Sequence, residues 1–126
     1  MPRIDLSTVS LAELPVEEDD AFEFKSSLDT SKEIKKKISK AGSGFANSGG
    51  GCFVWGIADD GNADGGIEEN VGNQGLRDWL DQSVASIAPV PKYEIQLFND
   101  SAGRGHIETG KCVAAVSFFP SELAPH

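Results

Sequence analysis

The stretch FANSGGGCFVWGIADDG, Phe45 to Gly61, leaves a helix, crosses three glycines, runs through an apolar segment and stops at two aspartates. Consecutive glycines end a helix, because glycine accepts the left-handed backbone of a C-terminal cap at no steric cost. CFVWGIA is aromatic and β-branched and does not alternate, which predicts a central strand covered on both faces. DDGNADGG reads as a cluster of turns. The segment thus predicts a helix folded back on a sheet, with carboxylates carried to the end of a buried strand.

Upstream, AFEFK (Ala21 to Lys25) sets Phe22 and Phe24 on one side and Glu23 and Lys25 on the other, the period of a half-buried strand. Thr30 and Glu33 have the spacing of a capping box, so a helix starts there. Ile34, Ile38, Ala41 and Phe45 form its apolar stripe, and lysines fill the remaining faces. Gly42 and Gly44 weaken that helix by roughly 1 kcal/mol each relative to alanine, and they admit a close neighbour, another backbone or a ligand.

Downstream, a second helix is expected from about Gln74 to Ala88, with Leu76, Leu80, Val84 and Ile87 inward and Pro89 and Pro91 as the stop. KYEIQLF alternates as a strand, NDSAGRG reads as a hairpin-type loop and KCVAAVSFF as a last apolar strand. The order β-α-β-α-β-β predicts an α+β fold, a mixed β-sheet with two helices packed on it. Residues 1–16 are weakly patterned and read as an N-terminal extension, in which LAELP is a turn or a helix stub; residues 17–126 read as one domain.

With 126 residues, 39% of them hydrophobic and 25% charged, the chain is long enough for one packed core. No apolar run approaches the roughly 20 residues that span a bilayer. Cys52 and Cys112 lie in apolar strands and read as buried thiols of a reducing, cytoplasmic compartment. The net charge of −9 argues against indiscriminate polyanion binding. The cations are uneven, however: five of the eleven Lys and Arg residues lie between Lys32 and Lys40.

Three readings carry chemistry. If the strand at Ala21–Lys25 pairs with residues 52–58, then Glu18, Glu23 and the aspartates at 59 and 60 reach one edge. Convergent carboxylates hold Mg²⁺ or Mn²⁺, which activate water and stabilise phosphoryl charge, with Lys25 placed to hold a phosphate. Asp60, Asn62, Asp64 and Gly65 open like a calcium loop, but its twelfth position is Val71 and a strand precedes it, so calcium is set aside. SGGG precedes a strand and follows a helix, the reverse of a phosphate loop. Trp55 and Trp79 fall in core patterns, and His106 and His126 have no neighbouring nucleophile, which argues against a serine or cysteine hydrolase.

EDDAFEFK followed by ISKAGSGFANSGGGCFVWGIADDG resembles the Schlafen-type AlbA domain, with its ExxxxEFK strand, a helix ending in FANxxGG, an apolar strand and GxxDDxG. The resemblance runs from about Glu18 to Pro125, specific in the first half and loose after Asn70. It implies a nucleic-acid-processing domain. In Schlafen-type nucleases the two glutamates of ExxxxE and the second aspartate of DD form a carboxylate triad that cleaves RNA. Matched by position these are Glu18, Glu23 and Asp60, which would bind Mg²⁺ or Mn²⁺, and Lys25 matches the lysine of EFK. The resemblance thus implies a metal-dependent endoribonuclease. Many bacterial members are instead regarded as DNA-binding transcriptional regulators. That keeps open a noncatalytic DNA- or RNA-binding module, of a regulator or defence protein, in which Lys32, Lys35, Lys36, Lys37 and Lys40 bind the nucleic acid. A protein-interaction module is the third class. A homodimer that doubles the domain, and further domains after residue 126, are also expected.

Overall fold

The computed structural model describes residues 10–15, 18 and 21–120. A 3₁₀ turn at Leu11–Glu13 precedes strand β1 (Phe22–Lys25), helix α1 (Ser31–Asn47) and strand β2 (Gly51–Trp55). Four short strands follow: β3 (Ala63–Gly65), β4 (Ile67–Glu68), β5 (Asn70–Val71) and β6 (Gln74–Gly75). Helix α2 (Leu76–Ala85) leads to β7 (Tyr93–Phe98), β8 (Gly105–Ile107) and β9 (Lys111–Phe118). The fold is α+β, as expected.

The main sheet runs β1, β2, β9, β7, with β4 also paired to β9. β1 and β2 are parallel, with Glu23 opposite Phe53 and Lys25 opposite Trp55, so helix α1 is the crossover that parallel strands require. β2 and β7 both lie antiparallel to β9. β2 is therefore hydrogen-bonded on both sides, and its Cys52–Trp55 are all buried, which is why the run lacks alternation.

Helix α1 starts as expected. Glu33 N–H donates to Thr30 Oγ1 at 3.3 Å and Thr30 N–H returns to Glu33 Oε1 at 3.1 Å. Ile34, Ile38, Gly42, Phe45 and Ala46 are buried; Ala41, expected in the stripe, is only half-buried. At the far end Gly50 takes φ +94° and its N–H donates to Phe45 O at 2.7 Å, the left-handed cap that the glycine run predicts.

Two apolar clusters fill the two faces. On the helix side Ile34, Ile38, Phe53, Trp55, Leu80, Val84 and Phe118 meet, with Trp55 and Trp79 ring centroids 5.9 Å apart. On the opposite side Leu11, Leu14, Phe22, Phe24, Cys52, Val54, Val113 and Ala115 meet. Cys52 and Cys112 are buried free thiols on opposite faces; burial pushes them up to about 12 and about 11. The core thus reaches back to Leu11, inside the segment read as an extension. No helix among the described residues is long and apolar enough to cross a membrane.

The structure corrects the sequence reading in the middle of the chain. The DDGNADGG segment is not all turn, since Ala63–Gly65 pairs in parallel with β8. β8 begins at Gly105, the last residue of the NDSAGRG loop, and fills part of the stretch left without an element before β9. It also holds His106, placed in a loop by the sequence. Helix α2 begins at Leu76, two residues late, because Gln74 and Gly75 pair with Asn70 and Val71. It ends at Ala85 rather than Ala88.

Asp64 bolts β3 to the exit of β1. Its Oδ2 accepts from Ser26 Oγ at 2.5 Å and its Oδ1 from Ser27 N–H at 3.0 Å. Burial alone raises this carboxyl; the hydrogen bonds from Ser26 and Ser27 outweigh it and hold the group below its ordinary 3.8. A folded value below the unfolded one means that the ionised contact stabilises fully above the ordinary value and fades as pH falls through the depressed one. Asp64→Asn is expected to cost roughly 1 kcal/mol at pH 7. In urea titrations across pH, that difference from the parent protein shrinks as pH falls below about 4; a difference that persists at pH 2 counts against the assignment.

Candidate nucleic-acid interface

Strand β1 lies at the edge of the sheet and alternates. Phe22 and Phe24 enter the core beneath the sheet, while Glu23 and Lys25 stand half-buried on the face that α1 crosses. Between this edge and the helix is a cleft of about 440 Å³, within the roughly 300–1,000 Å³ of small-ligand sites. Glu23 and Lys25 form its sheet wall, and Lys37 and Lys40 stand on its helix wall. Ala41, Gly44, Phe45 and Ser48 also line it among the described residues. Gly44 is open there, with no atom within 4 Å of the position a Cβ would take.

The charges in the cleft are not equivalent. Lys37 Nζ is 3.1 Å from Asp29 Oδ2 and is compensated. Among the described residues, Glu23, Lys25 and Lys40 make no ion pair. Among the described lining residues, Lys25 beside Glu23 on the strand and Lys40 on the helix thus leave a local cationic excess, on a chain of net charge −9. At about 100° per residue, Lys37, Lys40 and Gly44 share the flank of α1 above β1. Lys32, Lys35 and Lys36 are exposed on the rest of the helix surface, outside the cleft lining. The five-lysine run therefore does not form one face.

Glu18 and Asp60 are placed differently from Glu23. Glu18 is exposed, and its Oε1 accepts from Phe24 N–H at 3.1 Å, closing the free edge of β1 one residue along from Glu23. Asp60 sits in the turn after β2, where its Oδ1 accepts from Asn62 N–H at 2.9 Å. Ala58 N–H bonds to Asn62 O and Gly61 N–H to Ala58 O, both at 2.9 Å. Among the described residues no three His, Cys, Asp or Glu side chains are grouped so as to hold a metal ion. Glu18 Oε1 and Asp60 Oδ1 each accept from a main-chain N–H, and each carboxylate keeps its second oxygen.

The turn is held from the other side by Arg104, which sequence reasoning left inside a loop. This buried guanidinium donates to Gly61 O, Leu11 O, Leu14 O and Pro15 O, with Nη1 at 3.0 Å from Leu11 O and 2.6 Å from Leu14 O. It also stacks over the Phe24 ring, 5.8 Å from its centroid. Its partners are main-chain carbonyls of residues far along the chain, so side-chain patterning carries no signal of it. Ser48 was missed for a similar reason: it looked like part of a glycine-rich helix stop, and it lines the cleft while donating to Gly44 O at 2.8 Å.

Compared with known protein families, residues 18–125 match the family described as Schlafen, AlbA_2. No curated protein matches the chain.

Proposed function

Because the chain belongs to the Schlafen AlbA_2 family, whose function is nucleic-acid-related, we propose that it binds nucleic acid by taking the phosphodiester backbone into the cleft between β1 and α1. The observation that carries this reading is the pair Lys25 and Lys40, uncompensated on opposite walls of that cleft. An ammonium group is a compact point charge suited to a phosphate oxygen.

The test is a salt titration of binding to labelled single-stranded RNA and DNA. Each phosphate contact contributes about −0.7 to the slope of log K against log salt for single strands. Lys25→Ala and Lys40→Ala are each expected to make the slope shallower by about that amount and to weaken binding several-fold. Lys36→Ala, on the exposed side of α1, is expected to leave both unchanged. Equal effects at all three positions would sink the cleft as the site.

Metal-dependent RNA cleavage by Glu18, Glu23 and Asp60 is the second reading, favoured by the hydrogen bond that ties Glu18 to Phe24 N–H, the residue after Glu23. It requires Glu18, Glu23 and Asp60 to draw together, since among the described residues no three such side chains form a metal-holding group. Stabilisation by Mn²⁺ that Glu23→Ala abolishes supports it; no shift in melting temperature at millimolar Mn²⁺ rejects it.

A further inference from the structure

Glu23 is the cleft residue that phosphate binding leaves without a task. We infer that it reads a nucleobase: its carboxylate selects an unpaired guanine, while Lys25 and Lys40 hold the neighbouring phosphates. This rests on the cleft being the nucleic-acid site. Among the described lining residues Glu23 is the only carboxylate; it is half-buried and makes no ion pair. A carboxylate beside phosphate-binding ammonium groups repels the ligand unless the ligand brings it a hydrogen-bond donor, and phosphodiesters offer none. Lys25 lies two residues further along the same side of β1, roughly 7 Å away at the rise of a strand. Lys40 stands on the helix wall. A base edge at Glu23 and phosphates at the lysines therefore occupy separate places.

The donor that matches is specific. A carboxylate presents two parallel acceptors. On the Watson–Crick edge guanine alone sets two donors side by side, N1–H and the N2 amine. Adenine and cytosine place an acceptor next to their single amine, and uracil flanks N3–H with two carbonyls. Each of these sets a lone pair against the carboxylate, a repulsion that adds to the discrimination. The Watson–Crick edge is occupied in a duplex, so the guanine is one in a single strand, loop or end. Ala41 and Phe45 give the lining an apolar part on which a base can lie. Gly44 keeps it open, with no atom within 4 Å of the position a Cβ would take.

The experiment measures fluorescence anisotropy of the whole chain with short labelled oligouridylates, in EDTA so that no metal competes for Glu23. One strand is all uridine; the others carry a single guanosine, inosine, adenosine or cytidine at the centre. The guanosine strand is expected to bind about 5–150-fold more tightly than the all-uridine strand, the range of a bidentate base contact. Inosine, which lacks the N2 amine, is expected to fall between. Glu23→Gln puts one acceptor and one donor in place of two acceptors, so it is expected to lose the guanine preference and to favour adenine or cytosine. If Glu23→Gln instead tightens every strand alike and keeps their order, Glu23 only repels phosphate and the inference is overturned. Equal affinity of the parent protein for all strands also overturns it and leaves the binding function standing. Binding of none of them removes both.

Discussion

Arg104→Met is expected to destabilise the domain by about 3 kcal/mol, and Arg104→Lys to recover less than half of that. Hydrogen bonds from a charged donor are worth about 1.5–3 kcal/mol each, and Arg104 gives its N–H groups to four carbonyls at once. The full sum is not lost, because the segment at residues 11–15 can lift away and hydrate its carbonyls. That release exposes Leu11 and Leu14, which are 0% and 3% accessible and close the core beneath the sheet. A lysine places one ammonium where a planar fork reaches several acceptors, so it is a poor substitute. Urea unfolding measures the loss, and limited proteolysis near residue 15 locates it. A variant that unfolds like the parent and resists the protease rejects the clamp.

The second large effect is a reversal of sign between two glycines in one helix. A Cβ at position 42 would stand 2.7 Å from Ile87 Cδ1 and 2.8 Å from the Phe118 ring. Overpacking of this kind costs about 1–3 kcal/mol, which outweighs the roughly 1 kcal/mol of helix propensity gained. Gly42→Ala is therefore a net loss. At position 44 nothing lies within 4 Å, so Gly44→Ala keeps the whole gain and raises stability by roughly 1 kcal/mol. Gly44→Met keeps the stabilisation and fills the cleft, so it is expected to melt higher and bind nucleic acid at least tenfold more weakly (about 1.4 kcal/mol). Stabilisation with unchanged affinity would mean that the ligand lies elsewhere.

These two glycines also show how far the sequence could be read. Their proximity to a neighbour was legible, but not that Gly42 faces the core and Gly44 the cleft, since about half a turn of helix separates opposite roles. The long elements were legible because each repeats its pattern over a full period: the β1 alternation, the capping box, the α1 stripe and the unbroken apolar run of β2. The middle was not. β3 to β6 are strands of two or three residues, too short for alternation to register, and they are built from the same Gly, Asp and Asn that mark turns. The candidate carboxylates mark the same limit. Spacing placed Glu18, Glu23 and Asp60 at one end of the sheet, but not which of them would be taken up by main-chain N–H groups.

The sheet also has a temporal order. β9 lies between β2 and β7, and it is the last strand of the described chain. During synthesis, α1 and β2 emerge long before the strand that must sit beside them. A nascent chain halted before Lys111 carries the apolar faces of β2 and β7 with no partner between them, a substrate for chaperones rather than a folding intermediate of native shape. The domain should therefore become protease-resistant in one step, only once the chain through Phe118 is free to take its place between β2 and β7.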